Sequence, residues 1–281
     1  MRSTPYGNTL TFAFAKAAIE GYGLGSGGET DFLAVSFSSP DAVGHQFGPN
    51  SIEVEDVYLR LDKELADFFT YLDKRFGKGN YLYFITADHG VSQSPGFLEE
   101  NKLPTGLLDV EEALKSVNTA IQEQFGVANG ILATSAYQLY LNRPAFAARN
   151  VSLATVREMV IQKMKAIPGI ADAVSLPDLG RTALPEPEKT MLVNGYNKQR
   201  GGDVILLLQA GWKDGGRSGA THGLWYPYDA HIPLVWMGWG IKPGKTYRTT
   251  GMTDIAPTVS ALLNIQVPSG TIGQVVWEVL K

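Results

Sequence analysis

The sequence predicts an α/β fold: a mostly parallel central sheet flanked by helices, with an inserted α+β cap. Three observations carry this. Residues 31–37, 51–73 and 81–87 read as strand, helix and strand in succession, the pattern of a crossover that joins parallel strands. The segment Gly202-Asp-Val-Ile-Leu-Leu-Leu-Gln-Ala210 carries a continuous apolar run, the signature of a strand covered on both faces. Between these stretches, after Gly96, the character changes to alternating segments and proline-rich connections.

The elements follow in order. Residues 8–20 repeat apolar side chains at three and four, a helix. Gly21 to Gly28 is a glycine-rich loop with no strand before it, so a phosphate cradle is a poor reading. Asp31-Phe-Leu-Ala-Val-Ser-Phe is a predicted strand. Ser51 caps a long amphipathic helix whose stripe is Leu61, Leu65, Phe68, Phe69 and Leu72. Its acids Glu53, Glu55, Asp56 and Asp62 read as a solvated face. Tyr81-Leu-Tyr-Phe-Ile-Thr-Ala is a buried strand. Residues 109–125 are helical, 131–141 alternate as one half-exposed strand, 152–167 are helical, and 170–176 form a short strand. Residues 177–187 form a proline-rich linker. His231-Ile-Pro-Leu-Val-Trp-Met-Gly is the last strand, and residues 251–263 are a capped helix with Pro257 in its first turn. The core is expected over 1–98 and 196–281, with 99–195 as the inserted cap.

Bulk properties narrow the function. The 281 residues carry a net charge of -4, and there is no clustered basic face for nucleic acid. No apolar run is long enough to span a membrane. There is no cysteine, so a metal would be held by histidine and carboxylate.

Such groups occur in three places. Asp88-His89-Gly90 follows a strand directly, where open α/β sheets place ligands. With 28 acidic residues and 4 histidines among 281, an acid directly before a histidine is an accident about one time in three. The pair must be judged by its company. Asp41 and His45 stand four apart in Ser38-Ser39-Pro40-Asp41-Ala-Val-Gly-His45-Gln-Phe-Gly-Pro49, after another predicted strand. One helical turn points both side chains the same way. His222 lies in Gly215-Gly-Arg-Ser-Gly-Ala-Thr221-His222-Gly223, where glycine supplies backbone freedom rather than core packing. His231 opens a strand and reads as supporting or structural. Five ligands exceed one tetrahedral zinc and suit two metals close together.

In this order, Asp-x-x-x-His, Thr-Ala-Asp-His-Gly and Thr-His-Gly resemble the alkaline phosphatase superfamily. The segments Val54-Glu-Asp-Val-Tyr-Leu-Arg-Leu-Asp62 and Thr253-Asp-Ile-Ala-Pro-Thr258 sharpen the likeness to bacterial periplasmic alkaline phosphatases related to nucleotide pyrophosphatase/phosphodiesterases. The resemblance implies an alkaline-phosphatase-like fold and a phosphate ester substrate. It implies that Asp41, His45 and His222 hold one Zn²⁺ and that Asp88 and His89 contribute to a second. In the family, a threonine or serine activated by the metals attacks phosphorus in line and forms a phospho-enzyme that is then hydrolysed. That nucleophile and one further aspartate ligand precede the first motif found here, so the nucleophile is expected upstream of residue 1 and the fold is expected to be incomplete. Thr86 and Thr221 do not match its position. The expectations are a C-terminal portion of a zinc-dependent phosphoric ester hydrolase, weak or inactive alone, holding one zinc tightly and the second weakly or not at all. A non-catalytic metal-binding remnant on the same fold is the alternative. Export to the periplasm and self-association through an uncovered sheet edge are also implied.

Overall fold

The computed structural model describes residues 1–280. Along the chain run α1 (Tyr6–Gly21), α2 (Ser39–Phe47), α3 (Ile52–Phe76), β1 (Leu82–Thr86), α4 (Pro95–Glu100), β2 (Gly106–Leu108) and α5 (Val110–Phe125). A hairpin, β3 (Ile131–Ser135) and β4 (Gln138–Leu141), leads to α6 (Arg143–Ala148), α7 (Leu153–Lys165), β5 (Ile170–Ser175) and α8 (Glu188–Gly195). Then come β6 (Val204–Leu208), β7 (Trp212–Asp214), α9 (Pro227–Ala230), β8 (Leu234–Gly238) and α10 (Ile255–Leu263). Short 3₁₀ turns lie at Leu176–Arg181, Met252–Asp254 and Trp277–Val279. Among the described residues, no helix is long and apolar enough to cross a membrane.

The chain divides into two units, one of residues 1–90 with 231–281 and one of residues 91–230. In the first, α3 starts where Ser51 Oγ accepts from the Val54 N–H at 3.2 Å, and it stops at Gly77, whose φ of 87° an L side chain resists. The sequence between Ser38 and Gly48 makes a nine-residue helix rather than a single turn. Pro40 sits in its first turn, where a missing N–H is harmless. Val43 packs with Val54 and Val57 and fixes α2 on α3. The glycine-rich loop after α1 is structural: Gly25 has a φ of 73°, and a Cβ there would collide with the Phe76 ring.

Residues 31–37, expected as a strand, take no strand conformation. A β-strand needs a neighbour for its backbone N–H and C=O groups, and none of the described strands pairs with this run. Phe32 is left 61% exposed, while Phe37 packs against Phe12 at 4.5 Å between ring centroids. The expected crossover is therefore not formed. β1 pairs instead with β8, antiparallel, from Leu82 opposite Gly238 to Thr86 opposite Leu234.

The second unit holds the larger core. Its four-stranded sheet has the order β3-β4-β6-β5, all antiparallel. β6 explains its own sequence. Val204, Leu206 and Leu208 enter one cluster with Ile121, Phe146, Val160 and Met164, while Ile205 and Leu207 enter another with Val174, Leu176 and Leu179. Each face of a strand takes alternate residues, so covering both requires an unbroken apolar run. Each fully buried Leu contributes about 1.5–3 kcal/mol.

Three corrections follow. The α/β class holds, but the sheet expected to be mostly parallel is three small sheets among the described residues, and only the β2·β7 pair is parallel. β6 belongs with β4 and β5 rather than with the core beyond residue 196, so the second unit runs 91–230, not 99–195. Continuous hydrophobicity reports two covered faces and is silent on strand direction. Residues 131–141 fold back as a hairpin at Ala136 and Tyr137, both with positive φ (47° and 61°). No Asn-Gly or Asp-Gly marks that turn in the sequence.

Candidate metal centre

α2 is short, amphipathic and anchored from behind. Asp41 and His45, one turn apart, share one face, and Val43 between them points to the opposite face and into the α3 contact. His45 Nε2 lies 3.2 Å from Asp41 Oδ1. β1 delivers the other pair: two residues past its end, Asp88 and His89 leave the sheet. His89 Nε2 stands 3.9 Å from the same Asp41 Oδ1 and 3.6 Å from Asp88 Oδ1. Two imidazole nitrogens thus lie within 4 Å of one carboxylate oxygen, Asp41 Oδ1, and Arg2 lies 3.7 Å from the other.

His89 is oriented by its other nitrogen. Nδ1 lies 2.7 Å from the Gly90 carbonyl oxygen. A carbonyl only accepts, so Nδ1 carries the proton and donates, and in the neutral ring the lone pair is on Nε2. That lone pair faces Asp41 and Asp88. A lone pair and carboxylate oxygens turned toward one another are all donors to a cation, and a backbone carbonyl on the far ring nitrogen is the usual way a ligating histidine is held. With imidazole nitrogen, carboxylate oxygen and no thiolate, the donor chemistry fits zinc. Asp41 acts beyond its neighbours: burial, and secondarily its negative charge, push the Tyr58 phenol on α3 upward.

The sequence-derived residues therefore fall as follows. Asp41, His45 and His89 come together in the first unit. Asp88 is beside His89, but its side chain is 85% exposed against 24% for His89. His222 is carried by the second unit, half-buried, on the loop that follows β7. His231 is exposed, three residues ahead of β8. The Thr86 hydroxyl donates to the Pro233 carbonyl at 2.9 Å and is engaged in the β1·β8 pair. The acids of α3 lie where a solvated face puts them, Asp56 paired with Arg60 at 2.8 Å. Sequence reasoning missed Arg2 and Tyr58. Tyr58 lies in the Val54–Asp62 segment that carries the family resemblance, which does not single it out; nothing in the pattern marks Arg2.

Comparison with known proteins bears on this arrangement. A family model described as type I phosphodiesterase / nucleotide pyrophosphatase matches residues 6–236. The chain is 48% identical over 281 residues to alkaline phosphatase PafA of Elizabethkingia meningoseptica, covering 100% of this chain and 51% of that protein. It is 50% identical over 286 residues to alkaline phosphatase PhoV of Synechococcus elongatus, covering 100% and 50%. The crystal structure of wild type PafA matches with a TM-score of 0.96 at 47% identity, over 100% of this chain and 54% of that one. Human ectonucleotide pyrophosphatase / phosphodiesterase 5 matches with a TM-score of 0.64 at 18% identity, a likeness of fold alone. The chain spans about half the length of the curated relatives it matches.

Proposed function

Since this chain belongs to the type I phosphodiesterase / nucleotide pyrophosphatase family, we propose that it supplies most of the metal-binding residues of a zinc-dependent phosphoric ester hydrolase. In this reading Asp41, His45 and His222 hold one zinc, and Asp88 and His89 contribute to a second. One observation carries it: the Asp41 carboxylate flanked by the Nε2 atoms of His45 and His89, with the His89 tautomer set by Gly90.

When bound, zinc supplies Lewis-acid polarisation of a phosphoryl oxygen and neutralises charge that develops during in-line transfer. The chain's own residues do the positioning. The α2 backbone, fastened through Val43, spaces Asp41 and His45. The hydrogen bond to Gly90 directs His89. Asp88, the most exposed donor, restrains a metal least, so the site it shares is the weaker one. Thr86 is engaged with Pro233 and has no nucleophile role in this reading, in which turnover by the isolated chain is slow. Export and a phosphate ester substrate belong to the same reading.

The test is hydrolysis of p-nitrophenyl phosphate and of its bis ester by the purified chain, before and after chelation and with zinc restored. Turnover that needs zinc and disappears in Asp41→Ala is the expected result. Zinc uptake with no hydrolysis of either ester would replace the hydrolase reading with that of a binding module.

A further inference from the structure

The loop that bears His222 is unusually free in its covalent structure. Glycines occupy 215, 216, 219 and 223, and Gly215, Gly219 and Gly223 take φ of 96°, 71° and 114°. Glycine loses the most conformational entropy on ordering, so such a loop presents a side chain in many directions unless something external holds it. Within the second unit three buried polar side chains, from three separate segments, converge on this backbone. Lys213, on β7, donates from Nζ to the Ser218 carbonyl at 3.0 Å and to that of Gly219 at 3.5 Å. Ser92 donates from Oγ to the Thr221 carbonyl at 2.8 Å, with the Thr221 N–H 3.4 Å from the same Oγ, and its own N–H donates to that carbonyl at 3.0 Å. Asp229, on α9, accepts from the Leu224 N–H at 2.9 Å. The anchors bracket His222: one lies directly before it, one two residues after, and one three to four residues before.

We propose that Lys213, Ser92 and Asp229 are positioning residues that fix the backbone from Ser218 to Leu224 so that the His222 imidazole is presented to zinc in one orientation. This rests on the reading of His222 as a zinc ligand. Burying a lysine and an aspartate is costly without partners. Here the Lys213 ammonium donates to two carbonyls of this segment, and one Asp229 oxygen, Oδ2, accepts from its main chain. Burial lowers the Lys213 pKa, with Asp214 opposing the shift, which agrees with an ammonium that is desolvated and anchored by carbonyls.

The experiment uses the full chain and two readouts: amide hydrogen exchange over 217–224 without metal, and zinc affinity by competition with a chromogenic chelator. Ser92→Ala and Asp229→Ala should speed exchange in the loop and loosen zinc about 10-fold each. Ser92→Thr keeps the hydroxyl and Asp229→Asn keeps an acceptor for Leu224, so both should bind zinc as the wild type does. A purely structural role would show faster exchange with zinc affinity unchanged, and that result overturns the proposal, as does unchanged exchange. If Asp229→Ala does not fold, the Ser92 pair decides alone. Wild-type protein that takes up no zinc would instead sink the zinc reading of the chain, an outcome distinct from wild-type binding that the variants leave unaltered.

Discussion

Replacing Val43 by alanine tests the link from packing to chemistry. Val43 is 1% exposed and is the α2 member of a cluster with Val54 and Val57. The change removes two methyl groups' worth of buried carbon, about 1.6 kcal/mol at about 0.8 kcal/mol each. Incomplete collapse of the hole raises the cost to about 2–3 kcal/mol. Asp41 and His45 ride on the same helix, so metal binding must fall if undocking of α2 becomes populated. The apparent affinity scales with the docked fraction, and a loss of about 2–3 kcal/mol caps that effect at about 30- to 160-fold. Urea unfolding followed by circular dichroism gives the stability change, and chelator competition gives the zinc affinity. A variant with unchanged stability would refute the packing argument. A loss of affinity well beyond the cap would mean that Val43 acts on the metal by something other than holding α2 in place.

Three further outcomes are expected. Asp41→Asn should weaken zinc far more than Asp88→Asn, because two imidazole nitrogens approach Asp41 Oδ1 while Asp88 is exposed; equal effects in calorimetric titration would contradict the roles given to them. Tyr71, Tyr81 and Tyr228 are pushed up to about 12, first by burial and, for Tyr71 and Tyr81, next by hydrogen bonds to Glu20 and Asp73. Their folded pKa exceeds the ordinary value of about 10, so their contribution is intact below pH 10 and lost as pH rises toward 12; urea midpoints should fall across that window, and less so in Tyr81→Phe. Finally, Phe32 at 61% and Met237 at 53% exposure should drive self-association, and a monomer at all concentrations in sedimentation velocity would count against it.

Much of the candidate site is legible in the sequence because it is local. An acid and a histidine four apart need only a helix to share a face, and a polar pair after an apolar run needs only a strand to lift it to an edge. The pairing of strands was not legible. β6 advertises two covered faces, but its partners β4 and β5 lie about 30 or more residues away in sequence, beyond what periodicity reports. Residues 31–37 have the composition of a strand and no ladder among the described residues, since composition supplies a face and not a neighbour. Ala136 and Tyr137 turn the chain with positive φ against their type, a case where sheet pairing overrides local preference. Lys213, Ser92 and Asp229 are scattered in sequence and meet only through the fold.

The central claim is a zinc centre of unequal halves, and counting the metal tests it most directly. After loading with zinc and exhaustive dialysis against metal-free buffer, the chain should retain one ion, with a second taken up only when free zinc is present. Two ions surviving dialysis, or none, would contradict it.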